Sequence, residues 1–325
     1  MKKYLFILLC LLLIGCGKSK EKNIVKNIKK KNSDLESYII QGELNMYNGD
    51  NKYTYDVDVK YKKDDMYRVS LINKVNSHEQ IILRNSDGVY VLTPSLNKSF
   101  KFQSDWPYNN SQVYILERII SDIENDDEIK YEQKDGMHVI SNKVDYSTNN
   151  ELSYQKVYFD DNYIIKKVEV YNDKDDIRME FSVNKFEDNT KIEDDIFNLN
   201  NNIDSKTKDV SNKIDDIIYP MYLPSNTYLT SQKMLNTDNG ERVILTFGGD
   251  KSFTLIEETV SVGKELDVNL TYGEPDLIID TVGTIEDYNI NWMSNGIEYS
   301  LVSDSLEKNE LINVAKSISS ASITK

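Results

Sequence analysis

Nine consecutive residues, Tyr53-Thr54-Tyr55-Asp56-Val57-Asp58-Val59-Lys60-Tyr61, alternate apolar and polar without a break. Successive side chains of a strand point to opposite faces, so such a segment must bury one face and wet the other. Shorter runs of the same character predict strands at Met66–Ile72, Glu79–Arg84, Val89–Thr93, Ser99–Gln103, Ile129–Gln133, His138–Ser141, Tyr154–Phe159, Ile164–Tyr171 and Ile177–Phe186. The links between them carry turn residues: Asn48-Gly49-Asp50-Asn51, Asp87-Gly88, Asp135-Gly136, Asp160-Asp161-Asn162 and Asp173-Lys174-Asp175-Asp176. Short links between consecutive alternating strands dictate an antiparallel meander. One helix interrupts it at about Ser111–Ile123, with Val113, Leu116, Ile119, Ile120 and Ile123 on one face.

The first residues follow a different logic. Lys2 and Lys3 precede an apolar run from Leu5 to Ile14, too short for a stable membrane span but suited to a signal peptide. The run ends in Leu13-Ile14-Gly15-Cys16, which resembles the lipobox of bacterial lipoproteins. That resemblance implies diacylglyceryl transfer to the Cys16 thiol and cleavage between Gly15 and Cys16. Cys10 leaves with the signal, so the body has no disulfide to lean on and must be stabilised by burial. Ile24, Val25, Ile28 and Leu35 predict a helix ahead of the first strand.

Charge divides the chain. Lys2 and Lys3 give the signal +2, and seven lysines against Glu21 give the stem Gly17–Lys31 +6, which with a total of −15 leaves −23 for Asn32–Lys325. A basic stem beside a lipid anchor favours anionic headgroups. The acidic body is repelled by nucleic acid, and no nucleic-acid partner is expected.

Asn198–Asn212 has almost nothing to bury and reads as a linker, with a helical end at Ile214–Ile218. Beyond it, Tyr219-Pro220-Met221-Tyr222-Leu223-Pro224 is extended, and strands are predicted at Val243–Phe247, Phe253–Glu257, about Thr284–Ile290 and Ile297–Val302. A closing helix is expected with Asp304 as N-cap, Glu307 three residues on, and Leu311, Val314, Ala315 and Ile318 as its buried stripe. The expected division is a signal peptide at 1–15, the lipidated cysteine and stem at 16–33, a first domain at 34–198, a linker at 199–216 and a small α+β domain at 217–325.

Catalytic signatures are missing. His78 and His138 are the two histidines, and no H-E-x-x-H, C-x-x-C, G-x-S-x-G or complete phosphate-binding loop occurs. Gly249-Asp250-Lys251-Ser252 fits a hairpin turn, and Asp126-Asp127-Glu128 and Glu193-Asp194-Asp195 lack the spacing of a calcium loop. Neither metal, cofactor nor enzymatic activity is expected. Trp106, followed by Pro107 in the loop entering the helix, is either core or an exposed contact residue, whereas Trp292 fits the core.

The stretch from Asp87-Gly88-Val89-Tyr90 through Pro94 and Lys98 to Phe102 resembles the D-G-x-x-(V/W)-x-x-x-P-x-x-x-K hairpin of LolA-like proteins. With Ser104-Asp105-Trp106-Pro107-Tyr108-Asn109 and Gln112-Val113-Tyr114-Ile115-Leu116, it resembles the GerS-type lipoproteins of spore-forming clostridia, over about residues 20–200. From Tyr219-Pro220 through Trp292, Gly296-Ile297 and Tyr299 to the final helix, the chain is similar to a domain of unknown function that follows LolA-like modules in Gram-positive sporulation lipoproteins. The resemblance implies a mainly β, antiparallel half-barrel at 34–198 with helices on its concave side. It also implies a non-catalytic partner of a spore-cortex or cell-wall amidase at the outer face of the cytoplasmic membrane, the forespore membrane included. The alternative is a lipid- or lipoprotein-binding module, or an envelope-stress sensor, in which Tyr53, Tyr55 and Tyr61 line a cavity. The second domain departs from the single-module germination proteins.

Overall fold

The computed structural model describes residues 16–49, 51–146, 149–203, 211–238, 240–263, 265–278 and 281–323. The expected signal segment 1–15, Gly15 included, lies outside them, and Cys16 opens the first helix. That helix, α1 (Cys16–Asn32), leads into β1 (Ser37–Asn48), β2 (Asn51–Lys62), β3 (Met66–Asn73), β4 (Glu79–Asn85), β5 (Gly88–Thr93) and β6 (Lys98–Phe102). After a long loop comes α2 (Leu116–Asn125), then β7 (Lys130–Lys134), β8 (Met137–Lys143), β9 (Leu152–Phe159), β10 (Ile165–Asn172) and β11 (Ile177–Asp188). The remainder forms β12 (Thr227–Thr237), β13 (Gly240–Gly249), β14 (Phe253–Thr259), β15 (Asp267–Thr271), β16 (Glu274–Ile278), β17 (Thr281–Ile285), β18 (Asn289–Ser294), β19 (Ile297–Val302) and α3 (Lys308–Ile323).

The protein is mainly β, built on two large open sheets. The first runs β15-β6-β5-β4-β3-β2-β1-β11-β10-β9-β8-β7 and the second β12-β13-β14-β19-β18-β17-β16. Neighbours are antiparallel throughout, except for the parallel pair β15–β6. The β1–β2 ladder is unbroken from Ser37 opposite Lys62 to Asn48 opposite Asn51, as the alternation of Tyr53–Tyr61 requires. Tyr55, Val57 and Val59 face inward and are buried. Ile24 and Ile28, one turn apart on α1, and Leu116, Ile119 and Ile123 on α2 close the same core.

The opposite face of β4 and β5 carries a second apolar layer, Ile81, Leu83, Tyr90 and Leu92. Ile192 and Phe197 cover it, and Leu199 and Ile203 pack beside them, with 3-10 turns at Asp194–Phe197 and Leu199–Asn202. The start of the polar stretch is therefore docked on the sheet, and residues 204–210 of it lie outside the described residues. Ile214 and Ile218 are buried in the second core, but their backbone is not helical.

Three local expectations shift. The mid-chain helix begins at Leu116 instead of Ser111, because Ser111 is engaged elsewhere: its N–H donates to Asp145 O (2.6 Å) and its Oγ accepts from Asp145 N (2.8 Å). The Thr284–Ile290 strand is two strands, β17 and β18, joined by a turn in which Glu286 N donates to Asn289 O (2.9 Å). The last helix starts at Lys308, with Glu310 Oε2 accepting from Glu307 N (3.2 Å), so the capping pair sits three residues later than Asp304–Glu307.

The second sheet is sewn to the first. β15 extends the edge of β6, and Asp267 N donates to Asn97 O (2.9 Å) while Gln103 N donates to Thr271 O (3.1 Å). Gln80 on β4 acts like a piece of backbone: its Nε2 donates to Val282 O (3.0 Å), and its Oε1 accepts from Val282 N and from the Thr281 hydroxyl (2.9 Å). All these groups are buried. Replacing Gln80 with Ala strands a backbone N–H and C=O in the junction, at a cost of about 1–3 kcal/mol. Urea unfolding of Gln80→Ala should show that loss and, as the sheets uncouple, a broader transition; an unchanged midpoint and slope would refute the role.

Glu257 on β14 is fully buried, with Oε1 accepting from Ile218 N (3.0 Å) and Oε2 unpartnered among the described residues. Burial raises its carboxyl from the ordinary 4.5 to about 7, against a smaller lowering by Ile218 N–H. A group that holds its proton more tightly when folded stabilises the fold below its unfolded value and loses that contribution as pH rises through the folded one. Stability is expected to fall by up to about 3 kcal/mol between about pH 4.5 and 7. Glu257→Gln, which keeps the acceptor, should flatten this segment of the melting-temperature profile.

Candidate functional site

The aromatic residues singled out on β2 occupy two ends of one buried stripe. Tyr61 is sandwiched between Tyr38 (centroids 5.0 Å) and Tyr67 (4.9 Å), its cross-strand neighbours on β1 and β3. Tyr67 meets Trp106 edge-on at 5.9 Å, so the structure brings Tyr61 and Trp106 into one cluster through a residue that sequence reasoning missed. Tyr53 and Tyr55 lie at the other end of the strand.

Trp106 is 0% exposed, which removes it as a surface contact. Its loop is held on all sides. The Arg84 guanidinium donates to Trp106 O and lies 3.7 Å from Asp65, and Arg118 Nη1 donates to Tyr108 O (2.9 Å). Tyr108 donates its hydroxyl proton to Asp65 (2.6 Å) and stands 3.0 Å from the Tyr67 hydroxyl. Tyr38 donates to Glu117 Oε2 (2.6 Å), tying the first strand to α2. Tyr38, Tyr67 and Glu117 carry no sequence signal of their own, and Tyr108 stands in the quoted Ser104–Asn109 stretch with no sign there of its partners. Their partners are 41 to 79 residues away, so only the fold reveals them.

Burial sets the protonation of this cluster. It pushes the Tyr38 and Tyr67 hydroxyls well above their usual range and Tyr61 to about 12. Burial also raises Glu117, against lowering by the Tyr38 hydroxyl. Asp122 rises to about 6 for the same reason, although Arg118 pairs with it at 2.7 Å. At neutral pH every phenol here stays a donor, and none is poised as a phenolate nucleophile. The arrangement fastens loop, strands and helix together.

The cavity at the Tyr53 end, where the two sheets meet, measures about 160 Å³. Tyr53, Tyr114, Tyr146, Leu277, Ile290 and Lys316 contribute to its walls. Burial pulls the Lys316 ammonium below its usual range, opposed by nearby Asp276 and Glu151. Pockets that hold small organic ligands run to roughly 300–1,000 Å³. The junction cavity falls below that range.

Among the described residues no cluster of three or more His, Cys, Asp or Glu is placed to hold a metal. His138 stands apart on β8, with Nδ1 2.9 Å from the Tyr131 hydroxyl and its ring stacked on Tyr163. No described helix is long and apolar enough to cross a membrane.

Comparison with known proteins gives a family. The model described as "Sporulation protein YdcC-like" matches residues 1–197. Sporulation protein YdcC of Bacillus subtilis (strain 168) is 35% identical over 318 residues, covering 96% of this chain and 94% of that protein. Among solved structures, the Pseudomonas aeruginosa MucA/MucB complex aligns at 12% identity and TM-score 0.34, over 91% of this chain and 97% of that one. The GerS lipoprotein complex with the CwlD amidase of Clostridioides difficile aligns at 20% and 0.32, over 51% and 94%. A LolA superfamily protein of Nitrosomonas europaea aligns at 12% and 0.33, over 55% and 98%.

A body purified without its lipid anchor should carry no acyl chain. Native mass spectrometry is expected to return the bare polypeptide mass, before and after incubation with a long-chain fatty acid; a stoichiometric adduct would restore the cargo reading.

Proposed function

Since this chain belongs to the YdcC-like family of sporulation proteins, we propose that it is a lipid-anchored, non-catalytic binding protein that supports a spore-cortex or cell-wall enzyme at the outer face of the cytoplasmic membrane. The observation that carries this reading is the packed inner face of the first sheet, where Ile24, Ile28, Leu116, Ile119, Ile123 and Trp106 join the strand residues in one buried core. A protein whose interior is occupied by its own side chains interacts through its surface. The resemblance of Asp87–Phe102 and Ser104–Leu116 to GerS-type lipoproteins is the ground for naming an amidase as the enzyme class.

The anchor supplies the location. With Cys16 lipidated, the buried Ile24 of α1 lies eight residues further along the helix, roughly 12 Å. The body is then held close to the bilayer, which suits a stationary partner better than a travelling carrier. Exposed Lys22, Lys26 and Lys30 are available to anionic headgroups.

Two measurements test the reading. Cys16→Ser should move the protein from the membrane to the soluble fraction of sporulating cells. Deleting the gene should lower cortex muramic-lactam or delay germination; a normal cortex with normal germination would overturn the proposed role.

A further inference from the structure

The described strands leave four sheet edges, and three are poor docking sites. β7 reads Lys-Tyr-Glu-Gln-Lys, five residues whose charges oppose further pairing. β15 is equally short. β16 turns inward, with Asp276, Leu277 and Ile278 lining the junction cavity. β12 is different. It is eleven residues long, pairs in its sheet with β13 alone, contains neither Pro nor an acid, and has Lys233 as its sole charge.

β12 is also bare on both faces. Its register sets Leu229 beside Phe247, Gln232 beside Leu245 and Met234 beside Val243. The three β13 residues belong to the second core, yet Leu229, Gln232 and Met234 are exposed, because α3 packs instead on β18 and β16. Tyr228 and Leu235 are exposed as well. The preceding strap adds Tyr219, Met221, Tyr222 and Leu223, and the Tyr219 hydroxyl donates to Gln232 (2.6 Å). Residues 219–235 thus hold eight of the sixteen exposed large apolar side chains among the described residues. A long apolar edge of this kind is a template for another strand.

Charge selects the occupant. Asp250, bonded to Asn226 (3.0 Å), stands at one end of β12, and Asp238 and Glu241 stand at the other. Two copies pairing antiparallel would oppose these acids, each on a body of −23. An anionic lipid surface meets the same repulsion. A strand with an apolar middle and cationic ends meets none. We propose that β12 is the docking edge for an extended segment of a partner protein, apolar at its centre and basic at its ends, which joins the second sheet as an eighth strand. This rests on the partner-binding reading above and gives it a surface.

The test uses the full mature chain carrying Cys16→Ser and three synthetic peptides. One alternates valine and threonine between lysine ends, one has glutamate ends, and one has lysine ends with alternate amides N-methylated. Fluorescence anisotropy should show the lysine-ended peptide binding roughly tenfold more tightly than the glutamate-ended one and the N-methylated one not at all. Hydrogen exchange should slow at 227–237. Met234→Asp, an exposed change, should abolish binding at an unchanged melting temperature. Equal affinity for all three peptides, no protection at 227–237, or protection only elsewhere overturns the proposal. Self-association that buries β12, or docking of this edge on anionic vesicles, overturns it in favour of a second copy or a membrane. A negative peptide result beside a deletion phenotype removes the edge and leaves the partner role standing.

Discussion

β1 is paired along both edges, and the rest of the first sheet hangs on it. Its register with β2 is local, but its register with β11 joins Tyr38 to Asp188 and Met46 to Met179, segments far apart in sequence. Among the described strands, the two halves of the meander pair there alone. Gly42 makes the meeting possible. It sits at the register shift of the β1–β11 pair, where a Cβ would lie 2.3 Å from Ser182 O and 2.7 Å from the Phe181 ring. Closing so large a loop is costly in entropy, and no disulfide offsets it. The compensation is the continuous burial of Tyr38, Ile40, Leu44, Tyr55, Val57 and Val59 beneath α1 and α2.

How far this was legible follows from where the physical signal lies. The half-buried strands announce themselves by alternation, and Tyr53–Tyr61 forms β2 as expected. β12 was missed because it lacks that signal. Thr-Tyr-Leu-Thr-Ser-Gln-Lys-Met-Leu-Asn-Thr is exposed on both faces, and a bulge between Leu229 and Ser231 shifts its phase. β15 and β16 are five residues each, too short for periodicity to separate from loop, and β15 is placed by a long-range partner, Lys98–Phe102. Patterning speaks of faces, and these strands are placed by edges.

The candidate site divides along the same line. That Tyr53, Tyr55 and Tyr61 share a face is a consequence of period two. That Tyr61 stacks between Tyr38 and Tyr67, and that Trp106 closes the cluster, depends on register and on a loop fastened by Arg84 and Arg118. A cavity is a property of what remains after packing. Residue types alone, aromatic and β-branched, describe the wall of a lipid pocket and the filling of a core equally well. In this fold Tyr55 is buried among the strand residues, and Tyr53 borders a cavity of about 160 Å³ where the two sheets meet.

Helix α1 ties location to interaction. Two of its lysines pair with the body, Lys29 with Glu124 (2.7 Å) and Lys31 with Asp188 (2.8 Å). These pairs lie at the surface and contribute about 0–1 kcal/mol each. Ile24 and Ile28, buried at about 1.5–3 kcal/mol each, hold the helix down. Attachment of the stem is therefore apolar and persists at high salt, whereas its attraction to headgroups is electrostatic and is screened. With Cys16 lipidated, a fixed helix removes the slack of a tether. Under the proposed lipidation the body would stay near the bilayer, a partner would come to it, and the surfaces open to that partner would be those the first core does not use.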